Sequence, residues 1–248
     1  MSDGISPKRG RVVATLLTIG LTVFAAAAPA HAVPQDYRYH PAGRTEGTAT
    51  PEVVTQTGVP GQSVALTFDD GPNPGETPQL LDVLRRHDVK AVFCLWGEHV
   101  QQHPGLVRQI ADEGHTLCNH SMRHADLSSW SRSRIAADLE ATNQAIHDAV
   151  PSADIPYFRA PYGSWGQSPQ VAADMGMQPL GWSLAVEDWN PPGADVLAER
   201  LRRGITSQSV VLLHDGGGDR SQTVEAVDRV VPDLQSQGWR FVLPANRG

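Results

Sequence analysis

Ser63-Val64-Ala65-Leu66-Thr67-Phe68-Asp69-Asp70-Gly71-Pro72 runs an apolar strand directly into two carboxylates and a turn. Residues 63–68 have the length and the β-branched and aromatic content of a buried strand, and Gly71-Pro72 ends it. Thr77–Arg86 follows with apolar residues at helical spacing, and Pro78 suits a first helical turn. The same unit recurs along the chain. Strands are predicted at 91–95, 115–118, 157–159, 179–184, 210–213 and 241–243. Helices are predicted at 105–113, 133–150, 168–175, 195–203 and 223–237, with Gly114 and Gly176 closing two of them. Such alternation argues for a parallel sheet, either a barrel or an open doubly wound sheet. The polar clusters sit where strands end: Asp69-Asp70, Asn119-His120, Arg159 to Gly163, Glu187-Asp188-Trp189 and His214-Asp215. In a βα barrel those ends open on one face, where active sites are built.

The 248 residues are 40 % hydrophobic and 19 % charged, which fits a globular chain and not a disordered one. A formal net charge of −7 gives no basic footprint for nucleic acid. Residues 1–32 read differently. Lys8, Arg9 and Arg11 precede an apolar run over 12–28, and Ala30-His31-Ala32 offers a small-x-small cleavage site. The expectation is a signal peptide removed after Ala32, hence a secreted protein with no stable membrane insertion afterwards. An uncleaved anchor is the competing reading, with a run at the lower limit of a bilayer span. Residues 33–60, rich in Pro, Gly, Thr and Gln, are expected to form a linker to a domain at 61–248. Export permits a disulfide between Cys94 and Cys118, which lie on strands predicted to be neighbours.

The chemistry-bearing residues form a series. Asp69 and Asp70 offer one carboxylate for a metal and another for a base, against the plain reading of a polar turn. His120-Ser121-Met122-Arg123-His124 places two imidazoles four residues apart, which with Asp70 makes a two-His, one-carboxylate set. Pro161 and Gly163 bracket Tyr162, so its backbone N–H is a candidate oxyanion donor. Arg159 is placed to brace a carboxylate through a paired hydrogen bond. His214 ends a buried strand as a candidate acid, with Asp188 to tune it. Trp130, Trp165 and Trp189 are each candidates to stack on a sugar ring. No Gly-x-Ser-x-Gly elbow occurs. The run Gly216 to Ser221 lacks the Lys-Ser/Thr of a phosphate loop and reads as a flexible turn, with Asp219 or Ser221 capping the last helix.

In this order the segments resemble the polysaccharide deacetylases, carbohydrate esterase family four. Thr67 to Pro72 matches Thr-Phe-Asp-Asp-Gly-Pro, and His120 to His124 matches His-Ser/Thr-x-x-His. Arg159 to Tyr162 matches Arg-x-Pro-Tyr, and Leu212 to His214 matches Leu-x-His. The family's Asp-x-x-Asp-Trp reads Ala185-Val186-Glu187-Asp188-Trp189 here, with the first Asp absent and Glu187 a candidate substitute. The resemblance implies a distorted (β/α) barrel of about seven parallel strands with its site at their carboxyl ends. It implies a divalent ion, Zn²⁺ or alternatively Co²⁺, on Asp70, His120 and His124. Asp69 would be the base, Arg159 its brace, Tyr162 the oxyanion donor, and His214 the acid tuned by Asp188. Trp189 and Leu212 would line a slot for the acetyl methyl. The expected substrate is an N- or O-acetylated polysaccharide (chitooligosaccharide, peptidoglycan or acetylxylan), and the chain is expected to act as a monomer. A metalloamidase on a non-sugar amide and a non-catalytic glycan-binding relative are the alternatives.

Overall fold

The computed structural model describes Met1 and residues 51–246; the expected signal peptide lies outside the described residues. β1 (Ser63–Asp69), β2 (Val92–Leu95), β3 (Thr116–Asn119), β4 (Tyr157–Phe158), β5 (Gln178–Pro179), β6 (Leu184–Ala185) and β7 (Ser209–His214) form an all-parallel sheet. Its order is β5-β4-β3-β2-β1-β7-β6. An eighth strand, β8 (Arg240–Phe241), pairs with Ser63 and Val64, below the level at which β2 joins β1. All seven residues of β1 are buried, as expected for a central strand covered on both faces.

Strand periodicity divides the core into two layers. Val64, Leu66 and Phe68 of β1, Phe93 and Leu95 of β2, and Val211 and Leu213 of β7 face the helices. These helices are α1 (Thr77–Arg86), α2 (Gly97–Gln102), α3 (Pro104–Asp112), α4 (Arg132–Ala149), α5 (Ser168–Asp174), α6 (Ala194–Gly204) and α7 (Ser221–Ser236). Phe68 and Phe93 meet with ring centroids 5.4 Å apart, a contact worth about 0.5–1.5 kcal/mol beyond area burial. The alternate residues Ala65, Val92, Cys94, Cys118, Tyr157 and Val210 pack in the interior with Leu180 and Trp182. Cys94 and Cys118 are register partners on β2 and β3 and form the expected disulfide.

The predicted strand over 179–184 is instead two, β5 and β6, at opposite ends of the strand order. Five residue steps join Pro179 to Leu184, a reach of at most about 18 Å. The two ends of the sheet are therefore close, and the sheet curls into a barrel whose seam is crossed by residues 180–183. Part of the predicted linker belongs to that seam. Val54 is buried, donates its N–H to the Pro179 carbonyl (2.9 Å) and accepts from the Gly181 N–H (2.8 Å), and Gln56 bridges Ser209. Backbone groups left free by the break in strand 179–184 are thus paired by residues 51–57, which is why this stretch is ordered against the sheet.

Arg159, the residue after β4, is fully buried and spans the seam. Its Nε and Nη2 donate to the carbonyls of Leu180 and Gly181, both at 2.9 Å. Nη1 donates to Thr67 Oγ1 (2.8 Å) and Asp69 Oδ1 (2.7 Å) on β1. The expected brace on a carboxylate is present as one contact and not a two-pronged one, because the rest of the guanidinium holds backbone. Removing one partner of a buried pair typically costs about 3–5 kcal/mol through the charge left behind. Arg159→Met should lower the urea midpoint accordingly, and adding Asp69→Asn should recover part of the loss. A double variant no better than the single one would contradict this account.

His115 supplies a pH test of the fold. It is buried at the foot of β3, and its Nδ1 accepts the Ala91 N–H (3.2 Å), so the ring proton is on Nε2. Burial, reinforced by Lys90, pushes its pKa from 6.5 down to about 4. Between those values the unfolded chain binds a proton that the folded chain refuses, so stability falls as pH drops from about 6.5 towards 4. The loss has a ceiling of about 3 kcal/mol. Urea midpoints at pH 7 and pH 5 should diverge more for the parent protein than for His115→Gln; equal divergence would rule out His115 as the source.

Candidate active site

Side-chain parity carries the interior layer up to the rim. Thr67 and Asp69 on β1, Leu212 and His214 on β7, His120 after β3 and Arg159 after β4 continue the inward-facing rows. Asp70 ought to face outward, as the neighbour of Asp69. A left-handed backbone at Asp70 (φ 71°) turns its carboxylate back to the same rim. Gly216 and Gly217 make room for this: a Cβ at Gly216 would lie 2.1 Å from the Asp70 carbonyl oxygen, and one at Gly217 would lie 2.6 Å from Asp70 Oδ2. Ser121 (φ 66°), His124 (φ 50°) and Tyr162 (φ 59°) are also left-handed. Each such non-glycine residue costs on the order of 1–3 kcal/mol and persists where its surroundings over-determine it.

Asp70, His120 and His124 form a cluster of three potential ligand groups whose ligand atoms all lie within 4.8 Å of one another. Asp70 Oδ1 is 3.4 Å from His120 Nε2 and 3.1 Å from His124 Nε2. Two ligand atoms each about 2.0–2.1 Å from one tetrahedral ion stand about 3.3 Å apart, so this spacing fits a divalent metal. His120 Nδ1–H donates to the Arg159 carbonyl (2.8 Å), which leaves the Nε2 lone pair directed at the cluster. Asp70 Oδ1 is buried and, among the described residues, has no hydrogen-bond partner, as an oxygen reserved for a cation would be. Burial raises the Asp70 pKa, but His120 and then His124 outweigh it and hold the carboxyl well below the usual range. His124 is shifted down, by burial and by its neighbour His120, which favours the neutral form that ligates.

Two acid–base pairs flank the cluster. Asp69 is fixed by Arg159 through Oδ1, while Oδ2 stands 3.6 Å from His120 Nε2. On the neighbouring strand, where His214 is the register partner of Asp69, Asp188 Oδ1 accepts from His214 Nδ1–H (2.7 Å). Its Oδ2 accepts the His214 N–H (2.8 Å) and the Thr223 hydroxyl (2.9 Å). Burial lowers the His214 pKa, yet the Asp188 hydrogen bond and charge overcome it and the net shift is upward.

A cavity of about 560 Å³ joins these groups and is lined by Asp69, Asp70, His120, His124, Tyr162, Trp189, Leu212 and His214. Of the predicted site residues, Arg159 and Asp188 stand behind this lining and contact Asp69 and His214. The Tyr162 ring is mostly exposed and meets His124 edge-on at 4.5 Å.

Three expectations are corrected. Glu187 does not replace the absent aspartate at Ala185: its left-handed backbone (φ 57°) turns it out to solvent, where it faces Arg200 at 3.5 Å. Trp130 stacks under Arg134 and Trp165 packs on Phe158, so of the three tryptophans only Trp189 reaches the cavity. The loop read as flexible, Gly216 to Ser221, is pinned by buried Arg220, which donates to the Gly216 (2.9 Å) and Gly217 (3.0 Å) carbonyls. Asp219 does cap the Ser221 N–H (2.9 Å).

Sequence reasoning missed Trp96, Trp182 and Arg220 in the lining, and Asp215 beneath it. Asp215 is buried, accepts the Thr77 hydroxyl (2.6 Å) and sits against Gly71, where any Cβ would clash at 2.3 Å. Burial, with the charges of Asp70 and Asp69, raises its pKa to about 7. Its position directly after His214 was the only signal available.

Comparison with known proteins agrees with this geometry. The family model described as polysaccharide deacetylase matches residues 56–180. A chitooligosaccharide deacetylase of Sinorhizobium fredii is 37 % identical over 75 % of this chain and 92 % of its own. Among solved structures, the peptidoglycan N-acetylglucosamine deacetylase Bc1960 superposes with TM-score 0.72 at 30 % identity, covering 78 % of this chain and 93 % of that one. BA3943 of Bacillus anthracis, a CE4 family pseudoenzyme, superposes with TM-score 0.71 at 30 % identity over 77 % of this chain and 67 % of that one. With its barrel, its ordered motifs and these relatives, the chain belongs to the polysaccharide deacetylase family.

Proposed function

We propose that this protein is a secreted, divalent-ion-dependent deacetylase that removes the N-acetyl group from N-acetylglucosamine units of a glycan. The observation that carries this reading is the Asp70–His120–His124 cluster with its orphaned carboxylate oxygen, set between a braced base and a tuned acid. A divalent ion held there supplies Lewis acidity towards an acyl oxygen and lowers the pKa of water at neutral pH. Zn²⁺ suits the ligand set, and Co²⁺ is the second candidate. The likeness to chitooligosaccharide and peptidoglycan deacetylases favours an N-acetyl substrate over an acetylxylan ester. Secretion rests on the leader-like residues 1–32.

The protein groups divide the proton work. Arg159 occupies one oxygen of Asp69, leaving the other to take a proton from the attacking water. The Tyr162 N–H donates to the oxygen of the acetyl group as negative charge develops there. Asp188 holds the Nδ1 proton of His214, so Nε2 carries the proton that the departing sugar amine takes. Trp189 and Leu212 flank the methyl. Fold alone does not confer turnover, and BA3943, a CE4 family pseudoenzyme, is a precedent for a relative without catalysis. Here the base, the acid and the three ligand groups all converge on one cavity, which favours catalysis.

Acetate release by residues 33–248 from chitooligosaccharides, peptidoglycan and acetylxylan, with Zn²⁺, with Co²⁺ and after chelation, tests the reading. Metal-dependent acetate from an N-acetylated glycan is expected; none from any polymer by a folded, ion-loaded protein would defeat it. Asp69→Asn should keep the ion and lose ~10²–10⁴-fold in turnover; a near-normal rate would remove Asp69 from its role. His214 must be protonated to act, and Asp188 raises its pKa. The fall of kcat/KM at the alkaline end should therefore move to lower pH in Asp188→Asn. An unmoved limb would separate His214 from it.

A further inference from the structure

Helix α2, six residues long, touches both halves of the Asp70–His120–His124 cluster. On the Asp70 side, the Trp96 N–H donates to the Gly71 carbonyl (3.0 Å), and His99 Nδ1–H donates to the carbonyl of Asp70 itself (2.8 Å). On the histidine side, the N–H groups of Gly97 and Glu98 donate to the carbonyls of Ser121 and Met122, each at 3.0 Å. Between them the Trp96 ring stacks on His99 (4.3 Å, 28°) and on His124 (5.2 Å, 29°). The contact with the histidine loop is tight: a Cβ at Gly97 would fall 2.5 Å from the Met122 sulfur and 3.0 Å from its Cα. The left-handed residues of the segments that carry the cluster are Asp70, Ser121 and His124, and α2 or its leading Trp96 contacts every one. Backbone in that region is kept only by contacts that leave it no alternative.

We propose that α2 is the clamp that sets the geometry of the ion site, with His99 as a positioning residue for Asp70 and Trp96 as the plate that fixes the His124 ring. His99 touches no substrate atom in this scheme; it acts through the Asp70 peptide. The inference rests on reading Asp70, His120 and His124 as ion ligands. Groups that orient ligands from behind are typically worth 10–100-fold in metal affinity.

Zn²⁺ affinity by competition with a chromophoric chelator, the visible absorption of the Co²⁺ form and the melting temperature of the ion-free protein test it. His99→Phe keeps a ring in the stack and removes the donor, while His99→Gln restores an N–H. Affinity should fall about 10–100-fold in His99→Phe, with a changed Co²⁺ band and an ion-free melting temperature near the parent's. His99→Gln should recover part of both. Parent-like affinity and spectrum in His99→Phe would overturn the proposal. So would a loss that tracks a fall in ion-free melting temperature and that His99→Gln fails to restore. His120→Ala serves as the control: if it binds Zn²⁺ as well as the parent, the ligand reading itself fails, whatever His99 does.

Discussion

The guanidinium of Arg159 is the constraint on which the rest of this structure turns. A cation buried at 0 % exposure has to be met by acceptors on every side. It finds them on β1, in Thr67 and Asp69, and across the seam, in the carbonyls of Leu180 and Gly181. One side chain therefore does two things. It ties the two ends of a curled sheet together, and it fixes the orientation of the carboxylate that faces the cavity. Its own carbonyl takes the proton of His120 Nδ1, so the same residue also selects the tautomer of a candidate ligand.

Around that anchor the site is built from opposed environments. Asp69 and Asp188 are both buried carboxylates, each beside a cationic or potentially cationic partner. Asp215 is buried against the Thr77 hydroxyl instead, and desolvation with the neighbouring charges of Asp70 and Asp69 raises its pKa to about 7. The raised pKa of Asp215 thus follows from what lies against it.

Much of this was legible in the sequence. The strand–helix alternation predicts a parallel sheet, the resemblance of the ordered motifs implies the barrel, and the polar clusters at strand ends place Asp69, His120, Arg159 and His214 at one rim, because strand ends are set by local pattern. What escaped is set by tertiary contact. Helix α2 is under two turns long and starts with glycine, so it leaves no periodic signal. The apolar stretch at 179–184 reads as one strand because nothing local marks the point where the chain changes edge. Arg220 lies in a glycine-rich run that reads as loop, and only the folded backbone shows four carbonyls turned towards it. Trp96 and Trp182 are aromatic residues in apolar segments, the usual pattern of core.

The closed seam also governs when the site comes into being. Arg159 reaches Thr67 and Asp69 across sequence separations of 92 and 90 residues, and Thr67 reaches the Val211 carbonyl across 144. Loops of that size are entropically costly to close before their contacts repay the cost, which places such pairings late in folding. Asp70, His120 and His124 come from the first half of the chain, at the ends of β1 and β3, which flank β2 in the sheet. The three side chains are therefore early in the sequence, while the groups that aim them, the Arg159 carbonyl on His120 and Gly216 and Gly217 beside Asp70, come with the second half, as does the His214–Asp188 pair. A chain emerging residue by residue would carry the three candidate ligand side chains before it had the contacts that aim them at one point.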